Sequence, residues 1–238
     1  MSTFILIHGA SHGAWCWHKV IPKLEAAGHQ VLAPDLPGHG RDRTPLEAVT
    51  FAAYLDRVCE AIDAAIEPVI LVGHSMGGAV ISQAAEERPG QVSKLVFLAA
   101  MMFEDGETML AAFQQDTESL LLANMQVSDD GLSMTFPDEI LKEVFYADSP
   151  DSDTALASLL LVPQALAPGT TQLRLTENGY GRIPRIYIEC LRDRALTHAY
   201  QRQTYERVGC DRVLTLDTDH SPFFSMPEEL AGELAALA

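Results

Sequence analysis

The feature that most constrains this chain is an alternation of short apolar runs with stretches of helical spacing. Phe4-Ile5-Leu6-Ile7, Gln30–Ala33, Val69-Ile70-Leu71-Val72 and Lys94–Ala100 have the length and content of buried strands. Between them lie three helical stretches. Trp15–Ala27 puts Trp17, Val20, Ile21 and Leu24 on one face and closes at Gly28; Phe51–Ile66 follows, then Met76–Arg88, stopped by Pro89-Gly90. The alternation returns near the C-terminus as strand Ile186–Cys190, helix Thr197–Val208, strand Arg212–Leu216 and helix Pro227–Leu237. Strands separated by helices demand a mostly parallel sheet with helices on both faces and right-handed crossovers.

The rhythm breaks between Glu104 and Gly181. Fourteen acidic residues there face two basic ones, Lys142 and Arg174, so −12 of the chain's net −17 falls in this stretch. It is also rich in Leu, Met and Phe and shows no convincing strand. Acidic yet apolar suggests amphipathic helices packed on something. The expected organisation is therefore a core from 1–103 and 182–238, with a helical cap inserted at 104–181. At 238 residues and 47% hydrophobic content the chain can bury a full core, which excludes disorder as its global description.

Charge and cysteines exclude several function classes. Sixteen Lys plus Arg against 33 Asp plus Glu repel phosphate backbones and anionic membrane surfaces, so neither nucleic acid nor membrane is an expected partner. No apolar run approaches the length of a bilayer span. Cys16, Cys59, Cys190 and Cys210 form no CxxC pair and no zinc-ligand spacing, so no metal is expected and the thiols are expected to be reduced. Met1-Ser2-Thr3 ahead of Phe4 lacks the basic region of a secretory leader, which makes a cytoplasmic location the expectation.

Gly73-His74-Ser75-Met76-Gly77-Gly78 carries the chemistry. It matches G-x-S-x-G, follows a buried strand and opens a helix, the context in which a serine is exposed on a tight turn at the sheet edge. The glycines leave room for the crowded turn, and the helix start aims its free amides at the reacting centre. Ser75 is thus the candidate nucleophile. His8-Gly9-Ala10 ends the first strand and puts a loop amide beside it, so the candidate oxyanion donors are the N–H groups of Ala10 and Met76.

A nucleophilic serine needs a base, and in the order serine–acid–histidine only His198 and His220 qualify. His220 lies in a loop after a strand, whereas His198 falls in the first turn of a helix, so His220 is the candidate. Asp193, a short turn beyond Ile186–Cys190, is the candidate acid, with Glu104 or Asp105 as rivals. Asp217 and Asp219 are too near His220 along the chain to face it comfortably. Asp35 is read as a loop carboxylate bonding local amides and His74 as structural. Gly9, Trp15, Met101, Phe103, Ser221 and Phe223, on or near the same loops, are candidates for a pocket lining.

Taken together, His8-Gly9-Ala10-Ser11-His12-Gly13-Ala14-Trp15, Leu24-Glu25-Ala26-Ala27-Gly28-His29, Val69 through Gly78, Arg185 through Cys190 with Asp193, and Asp219-His220 resemble the α/β-hydrolase superfamily, and within it the plant methylesterase and hydroxynitrile lyase family. The resemblance covers nearly the whole chain and is weak through the cap. It implies an α/β-hydrolase fold, a triad on Ser75, Asp193 and His220, oxyanion amides on Ala10 and Met76, and no cofactor. The lyases of that family have threonine where this chain has Gly9, glutamate where it has His74, and lysine where it has Ser221. All three differences point to ester hydrolysis. His220–Phe224 looks more like bacterial relatives, some of which hydrolyse bulky synthetic esters. The expected function is a serine carboxylesterase acting through an acyl-enzyme on neutral apolar carboxylic esters, with a small-molecule ester as its only expected partner. The alternatives are cyanohydrin cleavage and a non-catalytic small-molecule receptor; self-association as a homodimer is left open.

Overall fold

A computed structural model describes residues 1–238. Its main sheet has six strands: β1 (Thr3–Ile7), β2 (Gln30–Leu32), β3 (Val69–His74), β4 (Val92–Leu98), β8 (Arg185–Cys190) and β9 (Arg212–Leu216). Three short strands, β5 (Gln126–Val127), β6 (Ser133–Thr135) and β7 (Gln164–Ala165), lie between β4 and β8. The main sheet runs in the order β2-β1-β3-β4-β8-β9 with every pairing parallel.

Side-chain alternation along these strands explains the layering. Ile5 and Ile7 of β1, Leu71 of β3, Leu95 and Phe97 of β4 and Tyr187 of β8 all enter one core. Phe4, Leu6, Ile70, Val72, Val96, Leu98, Ile186 and Ile188 enter the other. A strand buried on both faces has no polar side to show, which is why its sequence reads as an unbroken apolar run.

Helices α1 (Ile21–Ala26) and α10 (Pro227–Ala235) cover the second core, and α2 (Phe51–Asp63), α3 (Gly77–Glu87) and α8 (His198–Val208) the first. Thr50 caps α2 by accepting from the Ala53 N–H at 3.1 Å, and the Thr197 hydroxyl accepts from the Tyr200 N–H at 3.3 Å to cap α8. The stretch expected as one helix over Trp15–Ala27 instead splits into a 3-10 turn at Ala14–Trp17 and α1, which Pro22 opens.

The segment between β4 and β8, expected from the sequence to be an insertion, holds α4 (Met109–Phe113), α5 (Leu120–Asn124), α6 (Asp138–Phe145) and α7 (Asp151–Leu160). The expectation of no strand there is corrected: β5, β6 and β7 form a small antiparallel sheet. Strands two or three residues long have no room for a recognisable period. α9 (Pro222–Ser225) follows the His220 loop. No helix is long and apolar enough to cross a membrane.

Candidate active site

Ser75 stands between β3 and α3 with φ +53°, in the left-handed region that non-glycine residues rarely occupy. Its N–H donates to the Leu98 carbonyl at 3.2 Å, which holds the turn against the end of β4. The surrounding glycines are sterically required. A Cβ on Gly73 would lie 2.7 Å from the Gly77 carbonyl oxygen, and one on Gly78 would lie 2.3 Å from that of Met101. The N–H groups of Ala10 and Met76 donate to no backbone acceptor, and the Met76 side chain makes no capping bond to α3. Ala10, Ser75 and Met76 line one cavity.

His220 lies in the loop after β9 and Asp193 in the turn after β8, neighbouring strands of the sheet. His220 Nδ1 donates to Asp193 Oδ2 at 2.7 Å, with both side chains almost fully buried. Asp193 is saturated with donors: the Ala195 and Leu196 N–H groups reach Oδ1 at 2.8 and 2.9 Å, and Gln201 Nε2 reaches Oδ2 at 2.9 Å. Such a carboxylate orients the imidazole and leaves Nε2 as the basic position.

Two supporting residues were not read from the sequence. Gln201, one helical turn into α8, also accepts from the Cys190 N–H at 3.0 Å, tying the acid's turn to α8. Asp219 does not face His220's ring. Its Oδ2 accepts from Asp148 N, Ser149 N and Ser149 Oγ at 2.8, 3.1 and 3.0 Å, and its Oδ1 from Ser221 N and Ser225 Oγ at 2.9 and 3.1 Å. It fastens the histidine loop to the inserted segment. An Asp immediately before a loop histidine was the only available signal.

The rival acids are engaged elsewhere. Asp105 accepts from the Leu175 N–H at 3.0 Å, and Glu104 pairs with Arg207 at 2.6 Å. His198 pairs with Glu189 at 2.8 Å. Asp35 accepts from the Ala14 and Arg41 N–H groups at 2.6 and 3.0 Å, as a loop carboxylate should.

Around His220 stand further buried histidines. His74 Nε2 donates to the His220 carbonyl at 2.8 Å, with ring centroids 4.5 Å apart. Burial holds His74 and His8 well below the usual histidine range and pushes His12 down to about 4.

The cavity has a volume of about 340 Å³ and an almost wholly apolar lining. Of the candidate lining residues, Met101 is in it. Gly9 lies directly beneath: a Cβ there would sit 2.9 Å from His74 Nδ1 and 3.0 Å from Ser75 Cβ. Phe103, Ser221 and Phe223 are fully buried away from the lining, Phe223 edge-on to His74 at 5.0 Å. Trp15 stacks on His12 and Phe224. Most of the wall comes instead from the inserted segment, including Met109, Phe113, Leu121, Met125 and Met134. Their only mark in the sequence is that segment's richness in Met, Leu and Phe. No group of three or more His, Cys, Asp or Glu is arranged to hold a metal ion.

The family model described as alpha/beta hydrolase family matches residues 4–233. Methylesterase 2 of Arabidopsis thaliana is 33% identical, covering 99% of this chain and 95% of that protein. The chain spans 63% of the length of another relative from that plant, putative methylesterase 11, chloroplastic, at 34% identity. Among solved structures, polyneuridine aldehyde esterase superposes with a TM-score of 0.91 at 28% identity, covering 100% of this chain and 99% of that one. The pyrethroid hydrolase PytH superposes with a TM-score of 0.88 at 34% identity, covering 100% and 97%.

Proposed function

Because the chain belongs to the alpha/beta hydrolase family, we propose that it is a serine carboxylesterase for neutral apolar esters, with Ser75, His220 and Asp193 as its triad. The full-length relatives named above as esterases support a carboxylic ester hydrolase. The observation that carries the finer reading is the buried His220–Asp193 pair, found with a strained serine whose cavity is shared by two amides lacking backbone partners.

In this reading His220 Nε2 takes the Ser75 hydroxyl proton as Oγ attacks the ester carbonyl carbon. The carbonyl oxygen becomes an oxyanion held by the Ala10 and Met76 N–H groups. Collapse breaks the bond to the alcohol oxygen, which leaves with the proton from His220. Water then repeats the sequence on the acyl-enzyme, releases the carboxylic acid and restores Ser75. The apolar wall favours a hydrocarbon acyl or alcohol group, and the acidic cap disfavours an anionic one.

The test is hydrolysis of p-nitrophenyl acetate, butyrate and octanoate by the wild type and Ser75→Ala. Turnover is expected to vanish in the variant and, in the wild type, to rise from acetate to butyrate. Each added methylene buried against the wall is worth about 0.8 kcal/mol, or about fourfold in kcat/KM. Equal slow rates in both proteins would overturn the assignment.

A further inference from the structure

Gln164 lies in β7 of the inserted segment, lines the cavity and is 3% exposed. Its amide is used at both ends. Oε1 accepts from the Ser11 N–H at 3.1 Å and faces His39 Nε2 at 2.9 Å. Nε2 donates to the Tyr54 hydroxyl and to the Ala165 carbonyl, each at 3.0 Å. One side chain therefore joins the loop after β1, the loop after β2, α2 and the inserted segment.

Ser11 directly follows Ala10, whose N–H is an oxyanion donor in the proposed mechanism. Ser11 has φ +61°, a conformation disfavoured for serine, and its buried hydroxyl has no hydrogen-bond partner. Its backbone is gripped instead by two residues of the inserted segment: its N–H by Gln164, and its carbonyl by the Val162 N–H at 3.0 Å. The Ala10 carbonyl on the other side of that peptide accepts from His12 Nδ1 at 2.7 Å.

We infer that Gln164 is a positioning residue for the oxyanion hole: its amide oxygen fixes the Ser11 peptide and thereby aims the Ala10 N–H. The inference rests on the esterase reading. Without that acceptor, Ser11 has a buried amide to satisfy and a strained φ to relieve, and turning its peptide re-aims the donor one residue earlier. Because Gln164 belongs to the inserted segment, the hole is complete only while that segment is seated on the core.

The test compares wild type, Gln164→Met and the double variant Ser11→Gly/Gln164→Met. Methionine keeps the length and burial and removes both amide functions. Two ligands are used besides p-nitrophenyl butyrate: an alkyl trifluoromethyl ketone, which forms an oxyanion adduct with Ser75, and the matching methyl ketone. Gln164→Met is expected to lower kcat at least tenfold with KM within about threefold, a part of the hundredfold or more that loss of a whole oxyanion donor costs. Trifluoromethyl ketone binding should weaken by the same factor as kcat, and methyl ketone binding should not change. Ser11→Gly should restore part of kcat in the Gln164→Met background, because glycine holds φ +61° without support. Wild-type kcat in Gln164→Met, or equal losses for both ketones with no restoration by glycine, would overturn the inference. Titration of Ser75 with diethyl p-nitrophenyl phosphate separates the two levels. A wild type that releases no nitrophenol overturns the esterase reading and this inference together; a wild type that titrates fully beside a Gln164→Met of unchanged kcat overturns this one alone.

Discussion

Acid should destabilise this protein well before its carboxylates titrate, and the histidines around the site set the size of the effect. His8 Nδ1 donates to the Gly9 carbonyl at 2.8 Å and its Nε2 accepts from the Leu36 N–H at 3.1 Å, which holds the ring neutral. His12 donates to the Ala10 carbonyl and meets the Tyr146 hydroxyl at 2.7 Å; His74 donates to the His220 carbonyl. All three are fully buried, and desolvation lowers each below the ordinary 6.5. A group lowered in the folded state binds fewer protons there than in the unfolded chain. Its stabilisation is complete above about pH 6.5 and is lost as pH falls towards the folded value. At pH 5.5, about one unit below the unfolded value, each such histidine should cost the fold roughly 1 kcal/mol relative to pH 8, so three should cost several kcal/mol. His39, lowered mainly by burial, adds in the same sense. Asp116 and Asp219, raised by burial, act oppositely and moderate the slope at more acid pH. Urea unfolding followed by Trp15 and Trp17 fluorescence at pH 8, 7, 6 and 5.5 measures the loss. His12→Gln should remove about a third of it. A loss under about 1 kcal/mol across this range would refute the neutral-cluster reasoning.

Two further outcomes follow from the geometry. Gly78→Ala sets a Cβ 2.3 Å from the Met101 carbonyl oxygen, so it should cost about 2–3 kcal/mol and lower Tm by roughly 4–12 °C in a thermal melt. Asp193→Asn keeps the side-chain shape but presents the wrong hydrogen-bonding pattern to His220, and kcat on p-nitrophenyl butyrate should fall by about four orders of magnitude.

The inner strands of the main sheet, β1, β3, β4 and β8, were legible because they are buried on both faces. Phe4–Ile7 and Val69–Val72 could be nothing but apolar, and each is bounded by polar, proline or glycine residues. The serine turn was legible because close packing leaves Gly73, Gly77 and Gly78 no alternative residue. Illegible were the features whose partners are distant in the chain. Gln164 meets Ser11 across 153 positions and Asp219 meets Ser149 across 70, and a glutamine or aspartate serving a remote loop looks locally like any surface polar residue. The cavity wall fell in the same class: Met109, Phe113 and Met134 are brought together by packing of the inserted segment, with no common period to announce them.

The close approach of Gly9 to His74 bears on how such sites diverge. The sequence resemblance implies threonine and glutamate at these two positions in the lyases. With His74 in place, the first atom of any side chain at position 9 falls 2.9 Å from its Nδ1 and 3.0 Å from the Cβ of Ser75. With His74 gone, the His220 carbonyl loses its donor. A side chain at position 9 therefore needs both the His74 ring and the Ser75 turn to give way. A change at either position thus disturbs the serine turn or the anchoring of the histidine loop, the two elements that bring the nucleophile and its base to one site.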